Sequence, residues 1–567
     1  MMKTPLRKII NDPQNFVDEV LDSIIAAHSG SYRFATSDRR AVVAVDAPRA
    51  GKVAIVTGGG SGHLPLFLGY VGRGLATAVA VGNVFSSPSP EQVLRATQAV
   101  SSGSGVLYLY GNYGGDVYNF DLAASMAGTK GIATETVLGN DDVLSAPLER
   151  AASRRGVAGL VLAYKTAGAA ADRGDDLASV AAIARRTVAA TRTAGVGLAP
   201  TILPAAGEPT FTLNVGEMEI GVGIHGESGV EKGPIQSADQ IAASLFNSIN
   251  AELQLETDDR VAVLVNGLGA TPLEELYLLY GAVNARVAAT GAAVVLNFIG
   301  QYATSLEMAG ASISLLKLDA ELEELLMAPA ESPFFRPGNR VVAAPQTLES
   351  LNAQDQERHI RVTSFDSGLR SALITLAEQW PSHAPELREL DAALGDGDLG
   401  ITVTAGCKAV LKRLEELPER AVSSDVLAEA GMAFAAGNPS TFAALIGAGV
   451  LAAASKVDDG RLFDRSAALE LGRLFSDAVA KKGGAKLGDK TLLDMLQPML
   501  EVLAQPDDLE AEVFDAAVRA RGRDIANMQS RRGRAAWHQA RSIGLRDPGA
   551  VAIGYALSIL VRHATKS

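Results

Sequence analysis

The stretch KVAIVTGGG, Lys52 to Gly60, decides how the first half of the chain folds. A short, largely β-branched apolar run feeds straight into three glycines. Such a run favours a strand over a helix, and glycine closes it. Four more runs share this form: GVLYLYGNYGG (105–115), GLVLAYKTAG (159–168), VAVLVNGLG (261–269) and AAVVLNFIG (292–300). They alternate with Ala-rich helical stretches. This is the rhythm of an α/β sheet, in which ligands sit beyond the strand ends. After about Val362 the runs cease, and the chain reads as Ala/Leu/Glu/Arg helices joined by polar turns. Pro329, Pro333 and Pro337 precede a polar tail, so an interdomain linker is expected there. The expected division is an α/β domain over 1–335, a linker over 336–361 and an all-helical domain over 362–567.

Composition narrows the classes of function. Of 567 residues, 47% are hydrophobic and 20% charged, as in an ordinary globular protein. The formal net charge of −13 disfavours nucleic acid and anionic membrane as partners, because both require concentrated positive charge. Arg531, Arg532 and Arg534 form only a local basic stretch. Cys407 is the sole cysteine, which excludes an intrachain disulfide and a Cys-based zinc site. The N-terminal stretch shows no sustained apolar core, so no signal peptide is expected, and the compartment expected is the cytoplasm. Gly431–Ser455 is long and apolar but is broken by Asn438-Pro439-Ser440-Thr441, so a buried helix is expected in place of a membrane span.

Three glycine-rich loops follow strand-like runs. GGGSGHLP (Gly58–Pro65) carries Gly60, Ser61, Gly62 and His63 but lacks the Lys-Ser/Thr ending of a P-loop. YGNYGGDVYNFD (Tyr110–Asp121) places Asp116 at a strand-to-loop exit, where a carboxylate can face a small ligand. MEIGVGIHGESGVEK (Met218–Lys232) sets His225 among glycines and just ahead of acidic residues. Glycines give up conformational stability and allow another molecule to approach the backbone, so the window reads either as a surface turn that holds a histidine or as a histidine presented in a cleft. Together the loops supply two histidines and one carboxylate.

In the second half, LDAALGDGDLGITVTAG (Leu390–Gly406) crowds Asp391, Asp396 and Asp398 into eight residues. Three close carboxylates repel unless a cation neutralises them, and an all-oxygen set favours Mg²⁺ or Ca²⁺. The EF-hand spacing is not met. Mg²⁺ is commonly held by a few carboxylates together with substrate phosphates, which points to a nucleotide. Gly395, Gly397 and Gly400 are expected to leave room against the backbone. Ser440 and Thr441, the turn around Asp489 to Thr491, and Asp547-Pro548-Gly549 are polar helix starts, where free N–H groups can hold anions. Taken alone, each of them reads better as plain helix capping.

In this order the pieces resemble the dihydroxyacetone kinase family in its ATP-dependent, single-chain form, and the likeness spans essentially the whole chain. It rests on GGGSGH, GNVFSSPS, NYGGDVYNF, YKTAGAAADRG, GIHGESG and YATSLEMAGASISLLKLD, then LDAALGDGDLG, GDKTLLDML, GRAAW and DPGA. The resemblance implies two α/β lobes that bind substrate, followed by an all-helical barrel that binds ATP. It implies that His225 adds to the substrate ketone as a hemiaminal, with the glycines admitting a small ketose. His63 and Asp116 would hydrogen-bond the substrate and help remove the proton of the hydroxyl to be phosphorylated, with Gly60, Ser61 and Gly62 lining the site. Asp391, Asp396 and Asp398 would hold Mg²⁺ on the ATP phosphates. Gly397, Leu399, Gly400, Ser440, Thr441, Thr491, Arg534, Asp547, Pro548 and Gly549 would contact the nucleotide. A homodimer with active sites shared between chains is also implied.

Four departures from the family pattern stand out. Leu64 replaces a usual Glu, Gly114 a usual Thr, Gly111 a frequent Lys, and GNPST a usual GGSSG. The first three suggest a roomier, less polar pocket suited to a four-carbon ketose, as in erythrulose kinases. The rival readings are a dihydroxyacetone or glyceraldehyde kinase, a ketose sensor without kinase activity, and a lyase acting on FAD.

Overall fold

The computed structural model describes residues 8–342, 359–505 and 510–565. The chain divides into two compact units, residues 1–346 and 347–567.

The first unit holds two sheets. One contains β1 (Tyr32–Phe34), β2 (Ala41–Ala44), β3 (Ala54–Ser61), β4 (Ala78–Val84), β5 (Val106–Gly111) and β6 (Thr134–Gly139), in the order β1-β2-β4-β3-β5-β6. Strands β4, β3, β5 and β6 run parallel, so the exits of β3 and β5 lie side by side. The other contains β7 (Thr191–Ala199), β8 (Glu217–Ile220), β9 (Glu231–Pro234), β10 (Arg260–Gly267), β11 (Ala293–Gly300), β12 (Ala309–Leu318) and β13 (Asn339–Arg340). Its order is β13-β11-β10-β12-β7-β8-β9, mostly antiparallel with one parallel pair, β10 and β11. Along β10, Val261, Val263 and Val265 join one core, while Ala262 and Leu264 join another. Both faces of the strand are covered, which is why VAVLV reads as a continuous apolar run.

One run differs from expectation. GLVLAYKTAG is not a strand. It opens the helix Leu160–Arg173, which Gly174 ends in a left-handed cap. Every residue from Leu160 to Ala171 is buried, and a helix apolar on all sides is a core helix. Burial overrode the local strand signal. The boundary between the two units, at 346/347, falls within the expected linker, 336–361, of which Asn339–Arg340 pairs with β11. Residues 343–358 lie outside the described residues.

The second unit is all-helical. Its neighbouring helices form a closed ring: Leu399–Glu416, Ser423–Gly437, Thr441–Ala454, Arg465–Gly483, Leu492–Leu503, Pro548–Ala564 and, back against the first, Leu369–Gln379 and Ala384–Leu394. Ala511–Ala526 packs between Leu492–Leu503 and Pro548–Ala564. Leu387, Val403, Phe434, Leu493, Phe514 and Ile553 belong to its core. Gly431–Ser455 is two helices separated by the Asn438–Ser440 turn, and among the described residues no helix is long and apolar enough to cross a membrane.

Candidate active site

The first unit gathers its chemistry where β3 and β5 end. His63 lies two residues beyond β3. Asp116 lies not in a loop but in the first turn of the helix Gly114–Gly128, because only Asn112 and Tyr113 separate that helix from β5. His225 arrives from the other sheet, on the connection between β8 and β9. The two imidazole rings meet edge to face with centroids 4.9 Å apart. Phe85 stacks on His63 at 4.8 Å and touches His225 at 5.3 Å, and Tyr113 contacts His225 at 4.8 Å.

The segment Tyr302–Leu306 clamps this arrangement from the second sheet. The Thr304 carbonyl accepts from His63 Nδ1 at 2.7 Å, and the Ser305 hydroxyl donates to the Ile224 carbonyl at 2.5 Å. The Leu306 N–H donates to the Gly62 carbonyl at 2.7 Å. One short strap therefore fixes both histidine loops.

The protonation states follow from these contacts. His63 is fully buried, and burial together with nearby His225 pushes its imidazole down to about 3. It is neutral at physiological pH. A carbonyl can only accept, so Nδ1 carries the hydrogen and Nε2 presents a lone pair. Burial pushes the Asp116 carboxyl up to about 6, partly offset by the nearby Ser87 hydroxyl and by His225. His63 Nε2, Asp116 Oδ1 and the Tyr113 hydroxyl are buried without hydrogen-bond partners among the described residues. Buried polar atoms are normally paired. Three such orphans stand in this one region of the α/β unit.

The glycines around His225 serve a different purpose from the one expected. A Cβ at Gly223 would lie 2.0 Å from Glu227 Oε2 and 2.3 Å from Arg155 Nη1. At Gly229 it would strike the Ile220 carbonyl at 2.2 Å. The space is taken by the protein's own atoms. The expected enlargement of the pocket is likewise not found. A Cβ at Gly111 would sit 3.0 Å from both the Gly156 carbonyl oxygen and the Tyr113 ring. Leu64 lines an apolar cavity of about 460 Å³ under the helix Phe16–Ala27. Gly60, Ser61, Gly62 and His63 form part of its wall, but His225 and Asp116 do not.

The second unit brings the three aspartates together. Ligand oxygens of Asp391, Asp396 and Asp398 all lie within 4.8 Å of one another. Asp391 lies in the last turn of the helix Ala384–Leu394 and accepts from the N–H groups of Asp398 and Leu399 at 2.9 and 3.2 Å. Asp398 is the residue before the helix that begins at Leu399. Three convergent carboxylates with oxygen donors only, one of them exposed, fit a hard divalent cation. Gly395 and Gly400 again serve packing: a Cβ would meet Asp391 Oδ1 at 2.6 Å and the Ala384 carbonyl at 2.3 Å respectively.

Helix starts surround the cluster. Ser440 caps Thr441–Ala454, Thr491 caps Leu492–Leu503 in a capping box with Asp494, and Asp547 caps Pro548–Ala564. The Thr402 hydroxyl donates to Ser440 Oγ at 3.3 Å, tying the Leu399 helix to the Ser440 turn. Gly549 lies beside Leu492 and Phe442. Burial pushes the Asp547 carboxyl up to about 6, and the charges of Asp494 and Asp391 are near enough to add to this. Each of these three helix starts is capped by its own side chain, as the Leu399 helix is by Asp391, and each carries a positive dipole end. Arg534 begins a short 3₁₀ segment, Arg534–Ser542.

Comparison with known proteins fits this geometry. The Dak1 domain family matches residues 22–334 and the DAK2 domain family residues 393–562. The chain is 36% identical over 565 residues to a D-erythrulose kinase of Mycolicibacterium smegmatis, covering 97% of each. It belongs to the dihydroxyacetone kinase family. An L-erythrulose kinase of Pectobacterium atrosepticum is 35% identical over 563 residues, covering 97% of this chain and 95% of that one. The solved dihydroxyacetone kinase from C. freundii, in complex with AMP-PNP and Mg²⁺, superposes with a TM-score of 0.64 at 27% identity, covering 99% of this chain and all of that one.

Phe85, Tyr113, Glu227 and Thr304 were not singled out by the sequence reading. All four lie within quoted motifs: Phe85 in GNVFSSPS, Tyr113 in NYGGDVYNF, Glu227 in GIHGESG and Thr304 in YATSLEMAG. The Thr304 contact with His63 spans 241 positions, which local pattern does not reveal, whereas Glu227 stands two residues from His225.

Proposed function

We propose that this enzyme phosphorylates a terminal hydroxyl of a four-carbon ketose such as erythrulose, held as a hemiaminal on His225. The chain is an ATP-dependent ketose kinase that works with Mg²⁺. One observation carries the reading of the site. His63 Nε2, Asp116 Oδ1 and Tyr113 OH are orphaned and buried around His225, so a guest rich in hydroxyls would complete them.

His225 Nδ1 faces Glu227, leaving Nε2 as the nucleophile. Its lone pair forms the C–N bond, and the carbonyl π pair moves to oxygen, which takes a proton from water. Capture requires a carbonyl, which selects ketoses over polyols. Asp116 then accepts the proton of the attacking hydroxyl, and neutral His63 accepts a substrate hydrogen bond at Nε2. Asp391, Asp396 and Asp398 would hold Mg²⁺, which when bound neutralises charge on the nucleotide phosphates. The helix N-termini at Ser440, Thr491 and Asp547 offer N–H groups to those phosphates.

The choice of four carbons is supported by the full-length relatives named as erythrulose kinases, and no longer by freed volume at Leu64 and Gly111. A kinase assay across three- to five-carbon ketoses tests it. The expected kcat/KM for erythrulose exceeds that for dihydroxyacetone by about 10-fold or more, the worth of one fitted group. A preference for dihydroxyacetone would overturn the substrate, and equal use of erythritol would overturn capture.

We also propose a homodimer whose sites are shared between chains. Subunit exchange between His225→Ala and Asp396→Asn proteins should then restore part of the activity. No recovery despite proven exchange would place each site within one chain.

A further inference from the structure

His225 is not held by its glycines. It is held by a carboxylate. Glu227 Oε1 accepts from His225 Nδ1 at 3.0 Å, and Glu227 Oε2 accepts from the His225 backbone N–H at 3.0 Å. Both oxygens are used, one on the ring and one on the backbone, so the ring is fixed relative to its own main chain. Behind Glu227 stands Arg155. Its Nη1 lies 3.8 Å from Glu227 Oε2, while its other atoms bind Asp142 at 2.8–2.9 Å and the Gly221 carbonyl at 2.9 Å. Glu227 Oε2 and Arg155 Nη1 sit in the space that a Cβ at Gly223 would take.

This row of groups has a chemical consequence, which rests on the capture reading above. A carboxylate can only accept, so Nδ1 carries the hydrogen, and in the neutral ring that capture requires, Nε2 is the free nucleophile. When Nε2 bonds to the ketone carbon, the ring nitrogens share a new positive charge. The alkoxide takes a proton from solvent, and the adduct is left as an imidazolium with Nδ1–H still pointing at Glu227. The carboxylate faces the spot where that charge develops, in a pocket walled by Phe85 and Tyr113.

We infer that Glu227 is a positioning residue for covalent capture: it selects the His225 tautomer, orients the ring and serves as counter-ion to the captured adduct, with Arg155 and Gly223 holding it in place. Burial would raise the Glu227 carboxyl, but the hydrogen bond from His225, aided by Arg155, holds it down at about 2, so the counter-ion stays charged at working pH. Glutamine is no substitute. It has one acceptor for two donors, and its amide nitrogen would face an N–H.

The test observes capture directly, apart from phosphoryl transfer. Full-length protein is mixed with erythrulose labelled with ¹³C at the ketone, without nucleotide, and the tetrahedral adduct is followed by NMR. Wild type should show the adduct. Glu227→Gln should lower adduct occupancy and kcat/KM by about 10- to 100-fold, as is typical when a group that orients a histidine is lost. Unfolding temperature and Mg-ADP binding should hardly change. Gly223→Ala should fall in the same direction with Glu227 intact, and it covers the case in which Glu227→Gln does not fold. Undiminished adduct in either folded variant would overturn the role of Glu227. Absence of adduct in the wild type would instead overturn capture itself.

Discussion

The two units meet the same requirement, placing charge against a reacting group, in opposite ways. In the α/β unit the polar atoms are buried and few, and their protonation is set by burial: His63 is driven down to about 3 and Asp116 up to about 6. In the helical unit the carboxylates are crowded and partly exposed, and the surrounding donors are backbone N–H groups at helix starts. On the function proposed above, the first design would recognise a neutral sugar, which buried, directed polar atoms suit. The second would handle a polyanion, which dipole ends and carboxylate anchors for a cation suit. The lesson is that an aspartate in one unit works by being desolvated, and in the other by being one of several.

The largest expected effect breaks that symmetry outright. Asp396→Asn or Asp398→Asn removes an anchor for Mg²⁺ and should cut phosphoryl transfer by roughly 1,000-fold. Capture of labelled ketose should persist, because capture needs only the α/β unit. Near-normal turnover with Mg-ATP in either variant would show that the acidic cluster does not hold the metal. Loss of capture along with turnover would show that the units are not chemically separate.

The sequence showed the two designs unequally. The strands were legible because their β-branched runs end at glycines, and the acidic cluster was legible because its three ligands lie within eight residues. A local metal site is written locally. The ketose site is not. His63, Asp116 and His225 come from separate segments, and the strap that joins them is Tyr302–Leu306. GLVLAYKTAG reads as a strand only while its neighbours are unknown, since a helix buried on every side carries no periodic mark. The glycines misled for a similar reason. An absent side chain says that something comes close, but not what. At Gly223 it is Glu227 and Arg155, and at Gly400 it is the Ala384 carbonyl.

The smallest expected effect tests the burial side of the comparison through Asp116. Its carboxyl rises from 3.8 to about 6 on folding, with burial the first cause. As the base it must be ionised, so kcat/KM should fall about tenfold per pH unit below about pH 6. The same shift acts on stability with a definite sign. Between about pH 4 and pH 6 the folded chain keeps a proton that the unfolded chain has lost. Stability from this group is therefore lost as pH rises through that window, and the loss is complete above it. Asparagine carries no charge and escapes the loss. Asp116→Asn should be nearly inactive yet more stable than wild type by about 1–3 kcal/mol at pH 8, with the gain vanishing near pH 4. Asp396→Asn, at an exposed position, should shift stability by about 0.5 kcal/mol or less. Denaturant unfolding of both variants at pH 4 and pH 8 checks the contrast. If Asp116→Asn shows no gain at pH 8, its carboxyl is solvated and the pocket is wetter than its orphaned atoms imply.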